Sequence, residues 1–192
     1  MIYAFRTWRM ELNRLSDNIS AAAADLKSIS SLGPEKHSIN KESARIQLLN
    51  GAYDRLFMAF LTSSFIMRKM DDAAKYPFPA GKMLASKTDR QLKKRLCKYQ
   101  FESVVGEETG ESGSRTISPE SAVTYDGRQV TNLAMHSEEM RLHPPPVSGQ
   151  EGFWIRSDKK PIKSDSSKYW FLDLEDFSQM LNDFKDDPWK DI

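Results

Sequence analysis

Apolar residues recur in steps of three and four from the start of the chain: Phe5, Trp8, Leu12, Leu15, Ile19, Ala22, Leu26 and Ile29. That spacing sets all eight on one face of a helix. Gly33 and Pro34 are placed to end it. Ser38 or Asn40 is placed to cap a second helix, with Glu42 early enough to suit the helix dipole. A second seam then runs through Ile46, Leu49, Tyr53, Leu56, Phe60, Ser63, Met67 and Met70. Two seams of about 25 residues, each ~37 Å long and joined by a short loop, predict an antiparallel helical hairpin.

The second helix carries more apolar residues than one seam can absorb. Leu48, Phe57, Met58, Leu61, Phe65 and Ile66 all lie off it. A helix apolar over much of its circumference is covered on more than one side. The cover would be a third helix, the C-terminal part of the chain, or another polypeptide. Phe57, Met58, Leu61, Phe65 and Ile66 are therefore candidate partner-binding residues, the partner being another subunit or a second copy.

Pro77, Pro79 and Gly81 break the pattern. Helical spacing resumes at Ser86, where Thr88 and Gln91 have capping-box spacing and Leu92, Leu96 and Tyr99 form a narrow stripe that Gly106 closes. Residues 106–121 are rich in Gly, Ser and Glu and read as a flexible linker. It divides a helical part, 1–105, from a small module, 122–192. In that module Asp126-Gly127 is a type I′ hairpin signal. "NLAMHSEEMRL" reads as a short helix and "HPPPVSG" as extended, while "GFWIRS" and "KYWFL" read as strands. A final helix carries Leu174, Phe177, Leu181 and Phe184 on one face, with Asp173 as its N-cap. Helices first and strands afterwards predict an α+β fold.

Charge changes the picture locally. The net charge over 192 residues is only +1, so no global field draws the protein to nucleic acid or membrane. Yet Lys87, Arg90, Lys94 and Lys98 share one side of the predicted third helix, a face that would meet phosphates. The simpler alternatives are a solvated face, or pairing with the acidic segment from Asp173 to Ile192. That segment could also imitate a nucleic-acid backbone. Trp189 follows Pro188 among acids near the end of the chain and is a second candidate docking residue, unless it packs back on its own chain.

Candidate chemistry is sparse. The single cysteine, Cys97, admits no intrachain disulfide and no multi-cysteine zinc site. His37, His136 and His143 show no metal-ligand spacing, and His136 near Glu139 reads first as an ordinary surface pair. Asp173 and Glu175 with Asp126 and Lys168 would form an acid-plus-lysine site only at the expense of the Asp173 cap. Trp154, Tyr169, Trp170, Phe171 and Phe177 read as core. The start of the chain does not read as a signal peptide, and Leu56–Met67 is too short to span a bilayer. The expectation is a cytoplasmic, non-enzymatic binding or assembly subunit in a complex that handles nucleic acid. No catalytic residue, metal or cofactor is assigned, and no membrane partner. The alternatives are a small metal-dependent nucleic-acid-processing enzyme and an inhibitor acting through its acidic tail.

Overall fold

A computed structural model of the chain describes residues 2–31, 39–73, 95–110, 116–142, 150–157 and 168–186. Two long helices come first, α1 (Ile2–Ser31) and α2 (Ile39–Ala73). They pack along their seams: Leu12, Leu15, Ile19, Ala22 and Leu26 of α1 are buried with Leu56, Phe60, Met67 and Met70 of α2. The exposed Arg55 reaches across to Asp25 at 2.6 Å. The N-terminal end of the second seam is looser, with Ile46 exposed and Leu49 and Tyr53 half-buried. Asn40 lies inside the first turn of α2, and Ser38 is outside the described residues.

One helical turn, α3 (Arg95–Lys98), leads into β1 (Gln100–Thr109) and β2 (Thr116–Asp126). Then follow α4 (Gly127–Met135), β3 (Ser137–Arg141), β4 (Gly152–Ser157), β5 (Lys168–Asp173) and α5 (Leu174–Asp186). The five strands form one antiparallel sheet in the order β2-β1-β5-β4-β3. Helix α4 carries the chain from one edge strand to the other, β4 then pairs with β3, and β5 fills the gap between β4 and β1. The fold is α+β, as the order of patterns predicts.

Four expectations fail here, the first being that "NLAMHSEEMRL" is one helix: α4 ends at Met135 and Ser137–Arg141 form β3, paired with β4. The described part of the expected linker, 106–110 and 116–121, is mostly strand, and 111–115 lie outside the described residues. Gly106–Thr109 belong to β1 and Thr116–Ser121 to β2, paired to each other, with the register shifted by a β-bulge between Val105 and Gly106. Gly106 is needed there because a Cβ would meet Ile117 Cγ2 at 2.7 Å and Trp154 Cζ3 at 2.9 Å. The predicted third helix does not continue through "QFESVV". Those residues are β1, where Phe101 and Val105 enter the core and Val105 pairs with Trp170 of β5. Asp126-Gly127 is not a hairpin turn. Asp126 caps α4 in a capping box, accepting from Gln129 N at 2.8 Å while its own N–H donates to Gln129 Oε1 at 2.7 Å.

The sheet sends its side chains to two sides. Phe101, Tyr125, Phe153, Ile155, Trp170 and Leu172 point into a core shared with α1, α2, α4 and α5. Ile117, Trp154, Tyr169 and Phe171 occupy the opposite face. The alternation along β5 explains why "YWFL" is apolar throughout, because each face of a two-sided strand is buried. The five aromatics expected in the core are all buried. Helix α5 adds Leu174, Phe177, Leu181 and Phe184 to the same core. Its N-cap is Asp173, whose Oδ1 accepts from Glu175 N at 2.8 Å. Ser16 of α1 donates to Asn182 of α5 at 2.8 Å, tying the first and last helices together.

Candidate docking surface

The circumference of helix α2 divides by contact. One side meets α1. Another meets α4, where the guanidinium of Arg128 pairs with the fully buried Asp71 and Arg68 donates to Asn132 at 2.8 Å. A third meets the sheet and α5 through Phe60. The remaining side faces outward. Asp54, Met58, Leu61, Thr62, Phe65 and Lys69 recur there at helical spacing. Met58 is 59% exposed and Phe65 49% exposed, in the middle of a 35-residue helix. Leu61 and Phe57 are half-buried beside them. Lys69 Nζ lies 5.2 Å from the centre of the Phe65 ring, a cation–π contact that shields only part of it.

Beside this stripe lies a shallow groove of about 280 Å³ between α2 and the edge strand β3, walled by Tyr53, Asp54, Phe57, Glu138 and Met140. Burial pushes the Tyr53 phenol up to about 12. The far wall of the groove belongs to an ionic network on the outer sheet face. Glu139 accepts from Tyr169 at 2.8 Å and from Arg141 at 2.5 Å, and Arg156 lies 3.1 Å away. Arg141 also reaches Glu108 at 2.6 Å. Both guanidinium groups lie over the Tyr169 ring, at 5.3 and 5.7 Å. Burial raises the Glu139 carboxyl, but these hydrogen bonds and charges outweigh it and hold the group below its ordinary value. The opposite balance raises Tyr169 to about 12, through burial and its bond to Glu139. Every cation in this cluster is matched by a carboxylate, so the network closes the sheet face rather than offering charge to a ligand.

The partner-binding candidates thus separate. Met58 and Phe65 are exposed, Phe57 and Leu61 are half-buried, and Ile66 is 7% exposed within the core. Ile66 is therefore no docking residue, because the fold already covers it. Lys98 is exposed at the end of α3, while Lys87, Arg90, Lys94 and Trp189 lie outside the described residues, as do His37 and His143. The acid-plus-lysine set does not assemble: Asp126 and Asp173 cap different helices, and Lys168 donates to Glu120 at 2.8 Å. His136 is the C-cap of α4, not the helix-face partner of Glu139. Among the described residues no group of three or more His, Cys, Asp or Glu side chains is arranged for a metal, and no helix is long and apolar enough to cross a membrane.

Two features were present in the sequence but hard to weigh there. The Asp-x-x-Gln capping box at Asp126 shares its first residue with a hairpin-like Asp-Gly pair, and the two signals point to different structures. The charges at Glu139, Arg141 and Arg156 carry no local signature, because they meet only when β3, β4 and β5 align. Known proteins add no constraint: no family model matches the chain, and neither a curated protein nor a solved structure matches it significantly.

Proposed function

We propose that the protein is a non-enzymatic binding or assembly subunit that docks onto another polypeptide through the outer face of α2. The observation that carries this reading is the exposure of Met58 and Phe65 on a stretch of α2 whose opposite side, Leu56, Phe60, Met67 and Met70, is packed. Large apolar side chains held in water in a row are unfavourable, and burying the exposed half of each in a partner returns on the order of 1 kcal/mol apiece. The half-buried Phe57 and Leu61 extend the patch. The basic residues Lys87, Arg90, Lys94 and Lys98 suit a place in a complex that handles nucleic acid.

A photo-crosslinking side chain at position 58 or 65 tests the docking. The expected result is covalent attachment to a polypeptide from both positions and not from Gln179, an exposed site on α5. Equal labelling from all three positions overturns the reading. For the nucleic-acid part, wild type should bind mixed nucleic acid at low salt, and replacing the four basic residues with Glu should abolish that binding while the helical signal stays unchanged.

A further inference from the structure

The outer stripe of α2 is complementary to itself. It reads Asp54, Met58, Leu61, Thr62, Phe65, Lys69, with the acid at one end, the base at the other and the apolar residues between. We infer that the partner on this face is a second copy of the chain, with the two α2 helices packed antiparallel about a two-fold axis between Leu61 and Thr62. This inference rests on the docking reading above and specifies its partner.

The register follows from the chemistry. With the axis between Leu61 and Thr62, Asp54 faces Lys69 of the second copy, Met58 faces Phe65, and Leu61 faces Thr62, each contact occurring twice as two-fold symmetry requires. Moving one helix by a turn sets Asp54 against Phe65, or Lys69 against Met58, leaving a charge on an apolar ring or thioether. A parallel pair sets Asp54 against Asp54 and Lys69 against Lys69. Of these, the antiparallel, centred arrangement matches acid with base and Met58 with Phe65, and leaves only the small Thr62 against Leu61 at the axis.

The free chain is consistent with this use. Asp54 and Lys69 are exposed and form no ion pair among the described residues, and the ammonium of Lys69 rests on Phe65. The neighbouring cations do not compete for Asp54. Arg55 is held by Asp25 at 2.6 Å, and Arg68 by Asp72 at 3.1 Å and Asn132 at 2.8 Å.

Sedimentation of the full chain over a range of concentrations tests the inference. A reversible dimer is expected. Asp54→Lys and Lys69→Asp should each weaken it roughly tenfold, since each reversal sets two like-charge pairs in the interface, and the double variant should restore it. In a Cys97→Ser background, Thr62→Cys should oxidise to a covalent dimer and Gln179→Cys should not. A chain that stays monomeric while folded, or a dimer unmoved by either charge reversal, overturns the inference. If the chain is monomeric but positions 58 and 65 crosslink to a different polypeptide, the docking reading stands and the second-copy partner falls. If neither position crosslinks to anything, both fall.

Discussion

The ring of Phe60 stands edge-on to the ring of Phe153, with 4.9 Å between their centres. Phe60 belongs to the helical hairpin and Phe153 to the sheet, so a single contact joins the two parts of the chain that their patterns separate. Phe177 of α5 meets the same ring from another side at 4.8 Å.

Phe60→Ala should therefore destabilise both parts together, by ~3–5 kcal/mol. Urea unfolding followed by helical circular dichroism and by the fluorescence of the buried Trp154 and Trp170 should give one coincident transition, shifted equally for both probes. Separate transitions would show that the hairpin and the sheet do not share a core.

Leu15 is 3% exposed in the seam between α1 and α2. Leu15→Asp places a carboxylate there with no partner, and a loss of at least ~3 kcal/mol is expected. An unchanged thermal melt would mean that the seam is open.

Two glycines should respond in opposite directions. A Cβ on Gly51, inside α2, meets nothing within 4 Å, so Gly51→Ala should stabilise by ~0.5–1 kcal/mol through helix propensity alone. A Cβ on Gly152 would collide with the carbonyl oxygen of Leu172 in the neighbouring strand and with the Phe171 ring. Gly152→Ala should cost ~1–3 kcal/mol because that carbonyl cannot move without breaking the pairing of β4 with β5. Chemical denaturation of the two variants side by side measures both.

Stability should fall at both ends of the pH scale, for reasons that can be told apart. Tyr53 and Tyr169 are raised from 10 to about 12 in the folded protein, chiefly by burial. The fold favours the neutral phenols, so this contribution is complete below pH 10 and is lost as pH rises through about 12. Glu139 is lowered from 4.5, so its contribution is present above pH 4.5 and disappears as pH falls through the folded value. Tyr169→Phe should flatten part of the alkaline limb of a stability profile, and Glu139→Gln part of the acid limb. Limbs identical to wild type would show that the network on the outer sheet face is not formed in solution.

What could be read from local pattern was fixed within each segment. The three-four steps from Trp8 to Ile29 and from Leu56 to Met70 become the buried faces of α1 and α2, because a period near 3.6 is a property of the helix itself. "GFWIRS" and "KYWFL" become β4 and β5, and Asp173 caps α5, because β-prone aromatics and a short acceptor side chain act over a few residues. Tertiary structure decided what distant segments do to one another. "QFESVV" is a strand because β2 pairs with it along its whole length and β5 joins at Val105, and residues 106–109 and 116–121 are strand because β1 and β2 pair there and Ile117 packs with Trp154. Asp126 chose the helix cap over the turn once α4 could bury Val130 and Leu133 against α2. The candidate site shows the same division. That α2 has too many apolar residues was visible in its composition, but only packing covered Ile66 and left Met58 and Phe65 in water. Burial is a property of the neighbours a residue acquires, and no neighbour is written in the residue itself.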